Sequence, residues 1–176
     1  MKNMKKITLI LLVLLFTTIT ANSQITKGNW MFGGDAIIQG YKFENSEKFN
    51  YYAEIFPKAG YFVIDKLVVG SEIGIFINNA TFYTSFVPFT RYYLLSPEKI
   101  INPFIEGGLG LKNISYKRGS GDPTLTEFMY QFKLGTSIFF TNSVGLNVTL
   151  NYKKNSFQFD QEISVAFGFQ IHLEKK

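Results

Sequence analysis

The chain has 176 residues, 46% hydrophobic, 17% aromatic and 18% charged, with no cysteine, 19 Phe and 10 Tyr. That composition excludes a disordered chain, a disulfide scaffold and a thiolate-ligated zinc or iron–sulfur site, and its wealth of aromatics points to β structure in a single domain. The formal net charge of +5 suggests a basic protein, but its distribution says otherwise.

Lys2, Lys5 and Lys6 form a basic stretch, Ile7 to Phe16 is an apolar run broken only by Thr8, and Ala21-Asn22-Ser23 is a small-x-small site ahead of Gln24. This pattern predicts a secretory signal peptide over residues 1–23, because the apolar run is too short for the roughly 20 residues of a spanning helix. The remainder, 24–176, is expected to be one domain; it carries 15 basic and 13 acidic residues, a net charge of +2. Its Lys and Arg residues are scattered between aromatics, so no nucleic-acid partner is expected.

From Gly28 onward nearly every stretch alternates with period two, and none repeats with helical period. Eight strands are predicted, over 28–41, 49–63, 67–78, 85–94, 100–113, 124–140, 144–154 and 157–173. The first sets Trp30, Phe32, Ala36 and Ile38 against Gly33, Asp35 and Gln39. The sixth opposes Phe128, Tyr130, Phe132, Leu134, Ile138 and Phe140 to Glu127, Gln131, Lys133, Gly135 and Ser137, and the seventh opposes Val144, Leu146, Val148, Leu150 and Tyr152 to Gly145, Asn147, Thr149, Asn151 and Lys153. In the eighth, Phe159, Ile163, Val165, Phe167, Phe169, Ile171 and Leu173 share the apolar face, with His172 on the other.

Ile64-Asp65-Lys66, Leu95 to Lys99 and Thr141-Asn142-Ser143 read as tight turns. Between them lie longer polar connections at Lys42 to Lys48, Asn79 to Thr84 and Ile114 to Pro123, with a shorter one near Lys154-Asn155. An even number of strands, with short turns at one end and longer loops at the other, is the layout of a porin-like transmembrane β-barrel.

Alternation does not say which face is inside. A secreted or periplasmic lipocalin-like barrel carrying a small apolar ligand would alternate equally well, and Gly28-Asn29-Trp30 matches the short Gly-x-Trp pattern that opens such chains. Three features favour an apolar exterior. The polar face is rich in small residues that suit a narrow lumen. It also carries charges of both signs, a predicted lumen network of Asp35, Glu54, Lys58, Glu72, Arg91, Glu106, Lys112, Glu127, Lys133, Lys153, Asp160 and Glu162. Within it Arg91 is expected to bridge Glu72 and Glu106, and alternation adds Phe56, Phe62, Phe76 and Phe104 to the same face. Finally, Trp30, Tyr61, Tyr92 or Tyr93, Phe140 and Phe169 fall near the turn ends of the strands, and Tyr41, Tyr51, Phe86, Phe128, Tyr152 and Phe159 near the loop ends, as two aromatic girdles would. Pro57, Pro88 and Pro103 lie within predicted strands, where bulges or strand ends are expected.

The run Pro57-Lys58-Ala59-Gly60-Tyr61-Phe62-Val63 with Asp65, Leu67 and Gly70, then Pro88-Phe89-Thr90-Arg91-Tyr92-Tyr93, then Pro103-Phe104-Ile105-Glu106-Gly107-Gly108-Leu109-Gly110, resembles the outer membrane protein beta-barrel domain family. The resemblance covers nearly all of 24–176. It implies an all-β, eight-stranded antiparallel up-and-down transmembrane barrel of the OmpA and OmpX type in a Gram-negative outer membrane. It also implies that the partners are outer-membrane lipid and lipopolysaccharide, the barrel-assembly machinery and an unidentified surface ligand at the loops.

No enzymatic chemistry is expected. The single histidine, His172, is predicted to be a lumen or rim residue near the turn end of its strand, with no second histidine for a metal site. Gly107-Gly108-Leu109-Gly110 lacks the Lys-Ser/Thr ending of a phosphate loop and reads as small lumen residues. No catalytic, cofactor or metal residues are therefore assigned. Lys117-Arg118 reads as a solvated loop tip.

Overall fold

The computed structural model of the chain describes residues 25–42, 49–77, 81–116, 124–155 and 161–174. They form eight strands: β1 (Trp30–Lys42), β2 (Phe49–Ile64), β3 (Leu67–Ile77), β4 (Thr81–Tyr93), β5 (Ile101–Tyr116), β6 (Thr124–Phe139), β7 (Val144–Asn155) and β8 (Gln161–Leu173). Each pairs antiparallel with its neighbours in sequence, and β1 with β8, which closes an up-and-down barrel. Among the described residues the closing seam runs from Trp30↔Leu173 to Ala36↔Phe167, seven positions against fifteen between β5 and β6.

The period-two pattern decides the faces. In β7, Val144, Leu146, Val148 and Leu150 are exposed while Gly145, Asn147, Thr149 and Asn151 are buried. The same holds round the barrel, where exposed Phe32, Ile55, Ile73, Phe86, Leu109, Phe132 and Phe167 cover the outside. Among the outward side chains described on the strands, Lys154 carries the only charge. Trp30, Tyr92, Phe140 and Phe169 ring the turn end and Phe86 and Phe128 the other, all exposed; Phe159 and the side chains of Tyr41 and Tyr51 lie outside the described part.

Several predicted boundaries move. β4 begins at Thr81 and β5 runs on to Tyr116, so parts of two expected loops are strand, paired from Thr81↔Tyr116 to Phe86↔Leu111. The polar Thr, Ser, Asn and Tyr side chains there imitate a loop in composition, yet Phe82 faces out and Ser85 in. β1 starts two residues later than expected, because Gly28 takes a φ of 96° that no extended strand accepts. Residues 157–160, expected in the last strand, lie outside the described residues.

Two of the three prolines occupy interruptions in the ladder. Pairing of β2 with β3 passes from Ile55↔Ile75 to Lys58↔Glu72, and of β4 with β5 from Phe86↔Leu111 to Phe89↔Gly108. Pro57 and Pro88 sit in these gaps with register kept on both sides, so the missing N–H is absorbed without a shift. Pro103 faces outward near the turn end, opposite Thr136.

At that end the chain before β1 folds across the opening. Lys66 N donates to Ile25 O (2.9 Å), Gly28 N to Phe62 O (2.9 Å), and Phe62 N to Asn29 O (3.0 Å). Asp65 Oδ1 accepts from Lys27 N at 2.8 Å. These bonds push Ile25 into the interior, where it is fully buried.

Candidate functional site

The lumen is the part of the molecule where unlike chemistries meet, and it is built in three levels. The level at the turn end is apolar: Ile25, Met31, Phe62, Val68, Phe89, Tyr93, Phe104 and Phe139 form one buried cluster. His172 stands edge-on to Phe62 and Phe139, with ring centroids 5.2 and 5.5 Å apart. Of the two tyrosines offered for the girdle, Tyr92 is outward, whereas Tyr93 turns in and donates to Gln170 Oε1 at 2.9 Å.

Above it lies a buried cluster of three acids and three bases: Asp35, Glu72 and Glu106 with Lys58, Arg91 and Lys133. Their charges balance. Lys58 Nζ is 2.8 Å from Asp35, 3.0 Å from Glu72 and 3.5 Å from Glu106. Lys133 Nζ is 2.6 Å from Glu72 and 3.4 Å from Glu106. Arg91 makes a two-pronged contact with Glu106, Nε at 2.7 Å and Nη2 at 2.6 Å, over the Phe104 ring at 3.9 Å. The register explains who meets whom, since Arg91 lies directly opposite Glu106, Glu106 opposite Lys133, and Lys58 opposite Glu72.

The expected Arg91 bridge to Glu72 is therefore not formed. Glu72 is opposite Val87, four residues or about 13 Å along β4 from Arg91. The two lysines hold it instead, together with Gln131 Nε2 at 3.1 Å. Such a cluster is costly to bury unless every charge is met, and the closed ladder delivers the partners from six strands, β1 to β6.

The third level faces the loop end. Lys153 Nζ lies 3.1 Å from Glu54 and 3.9 Å from the centre of the Phe56 ring. The Tyr83 hydroxyl donates to Glu54. Lys112, half-buried, holds its ammonium 3.9 Å over the Tyr83 ring and has no ion pair among the described residues. Glu127 is opposite Lys112 in the ladder, yet both its carboxylate oxygens are buried without a hydrogen-bond partner among the described residues. Glu162, predicted for the buried network, is exposed, because the inward face of β8 opens to solvent at its first turns of chain. Asp160 lies outside the described residues. A cavity of about 100 Å³ opens here among Phe56, Tyr83, Lys112, Gln131, Lys153 and Glu162.

Charge and alternation could not single out the neutral polar residues that knit these levels together. Gln170 accepts from Arg91 Nη1 at 3.0 Å as well as from Tyr93. Ser137 donates to Asn147 at 2.8 Å, and Asn102 caps the β4–β5 turn by accepting from Leu95 N at 3.0 Å. Ile25 left only a faint trace, one apolar residue between the predicted cleavage site and the first strand.

The geometry can now be set beside known proteins. No family model and no curated protein sequence matches the chain. Solved structures do. The N-terminal β-barrel domain of Pseudomonas aeruginosa OprF superposes with a TM-score of 0.68 at 13% identity, covering 84% of this chain and 98% of that one. The chain has the fold of the small outer-membrane β-barrels. Neisserial surface protein A gives 0.62 at 17% identity over 82% of this chain and 97% of its own. The outer membrane protein OprG of Pseudomonas aeruginosa gives 0.52 at 12%, over 88% and 100%. At these identities the likeness is one of fold. An apolar-lined carrier barrel is the inverse of what is seen, since here the buried lumen holds six charges at its centre and the apolar side chains face out.

Proposed function

We propose that the chain is a non-enzymatic integral outer-membrane barrel, exported by the signal peptide at 1–23, with a lumen filled by its own side chains. Its role is structural or lies in surface interaction through the loop end. One observation carries this reading: an outer wall that, over the described strands, is predominantly apolar and carries a single charge, Lys154, while the other strand charges lie inside. Such a surface is stable only against lipid, and a closed barrel is one of the two ways a chain can satisfy its backbone there. Two of the structural neighbours, an outer membrane protein and a surface protein, support the same location. Lipopolysaccharide and outer-membrane lipid are then its surroundings, and the barrel-assembly machinery its route in.

The filled lumen speaks against a general diffusion pore, since Arg91, Tyr93, Phe62, Phe104 and Lys133 are all fully buried within it. The test is cell fractionation together with gel mobility. The protein is expected in carbonate-resistant outer membranes, and the folded form is expected to migrate differently before and after boiling in SDS. Recovery from the soluble periplasm, or identical migration of both samples, would overturn the reading. Planar-bilayer recordings are expected to lack a large, steady conductance.

A further inference from the structure

The described outer wall carries one cation, and two grooves descend from it. Lys154 lies ten residues along β7 from Val144 at the turn end, a rise of about 25 Å at about 3.3 Å per residue and a tilt of about 40°. That is the height of the apolar band of such a barrel, so the half-buried Lys154 stands where headgroups begin on the loop side. It has no ion pair among the described residues. Tyr130 faces it across the ladder, and Tyr130 and Tyr152 share a hydrogen bond, with ring centroids 6.3 Å apart. That bond uses one of two hydroxyl protons and leaves the other to donate. Below Tyr130 a groove of about 630 Å³ runs between Leu109 and Phe132 and over Thr90 and Gly107 to Val69. Its floor is Gly107, where a Cβ would meet nothing within 4 Å. A second groove of about 370 Å³ lies beneath Tyr152, lined by Leu134, Val148, Leu150 and Val165. Phe132, opposite Gly107 on one side and Tyr152 on the other, separates the two.

We propose that this face holds one molecule of lipopolysaccharide, with a lipid A phosphate on the Lys154 ammonium and the free tyrosine hydroxyl, and acyl chains in the two grooves. The inference rests on the membrane reading of the wall and gives it a specific occupant. Charge decides the headgroup, since one cation on an otherwise uncharged wall calls for an anion, and a phosphate monoester supplies more than one negative charge. The grooves decide the tail: their lining is mostly apolar, and at this depth acyl chain is present and water is not. Two grooves below one cation suit a headgroup that carries several chains. The side of the membrane decides between lipids, because Lys154 is at the loop end, in the leaflet where lipopolysaccharide lies, and phospholipid headgroups meet the turn end. A second copy of the barrel fits less well, since a two-fold contact centred here brings Lys154 toward its own counterpart.

Native mass spectrometry of the full chain, refolded in detergent micelles, tests this with lipid A, phosphatidylglycerol and phosphatidylethanolamine as competing probes. The boiling-dependent gel shift reports whether each variant folds. One lipid A is expected to stay bound, ahead of either phospholipid. Lys154→Met is expected to lower its retention about fivefold, the effect of one cation near a lipid surface. Gly107→Leu, for which the wall has room, is expected to lower it by about threefold or more by filling the first groove. Lys99→Met, at an exposed lysine in the β4–β5 turn, is expected to leave it unchanged. Equal retention of the three lipids, or wild-type retention by folded Lys154→Met or Gly107→Leu, would overturn the proposal. So would a dimer of the chain that Gly107→Leu disperses. Folding and outer-membrane fractionation can succeed while lipid retention fails, so this failure is distinct from failure of the proposed function.

Discussion

The two ends of the lumen are lined by the same eight strands but closed by different forces. At the turn end, apolar side chains from several strands meet Ile25 from the preceding segment, and backbone bonds from Lys66 and Phe62 hold that segment in place. At the loop end the inward side chains are lysines, glutamates and amides around a cavity, with part of their hydrogen-bonding capacity unspent. The neutral charge cluster lies between them and belongs to neither. The contrast separates two tasks: sealing the barrel falls to packing at one end, while the other end keeps polar groups available. The central ion pairs divide the two.

The largest expected effect comes from breaking that division. Arg91→Ala leaves Glu106 buried without its two-pronged partner and should destabilise the barrel by about 3–5 kcal/mol. Lys153→Ala, one level up, should cost about 1–2 kcal/mol, because Glu54 keeps the Tyr83 hydroxyl and lies closer to water. Urea unfolding from lipid vesicles measures both. Equal losses would mean that the central cluster is no drier than the mouth.

Packing at the turn end is sharpened by a second pair. Phe62 is fully buried against Tyr93 and His172, so Phe62→Ala should cost about 3–4 kcal/mol. Ile25→Ala should cost about 2–3 kcal/mol, since the segment carrying it can relax into the cavity left behind. If Ile25→Ala is neutral in the same unfolding measurement, the seal is made by the strands alone.

How much of this was legible before the structure depended on what each feature needed. The outward and inward faces were readable, because a strand displays its two environments in alternating residues, as in β7. Strand ends were not, where residues such as Thr81, Tyr83 and Ser115 combine loop composition with strand geometry. The six charges of the central cluster could be picked out one by one, but their partners could not, and Glu162, picked out in the same way, is exposed. Arg91 meets Glu106 and misses Glu72 because of ladder register, a property of two strands together that neither displays alone. Gln131 and Gln170 were hidden for a related reason: a neutral amide on an inward face gains significance only from the charge it ends up facing.

The smallest effect is the one that best separates the two ends. Lys112→Met removes a positive charge from the lumen, and at the central level the same change at Lys133 would leave three buried acids to two bases and take from Glu72 its shortest ion pair. At the loop end Lys112 has no carboxylate to strand within ion-pair distance among the described residues, and it is only half-buried. What it loses is a cation over the Tyr83 ring, about 0.5–1 kcal/mol, and methionine restores part of that by packing its sulfur against the same ring. The net change in unfolding free energy should therefore stay below about 1 kcal/mol. A loss as large as that of Arg91→Ala would place Lys112 inside a buried network after all, joined to the neighbouring Glu127, and the loop end would then be held together in the same way as the middle.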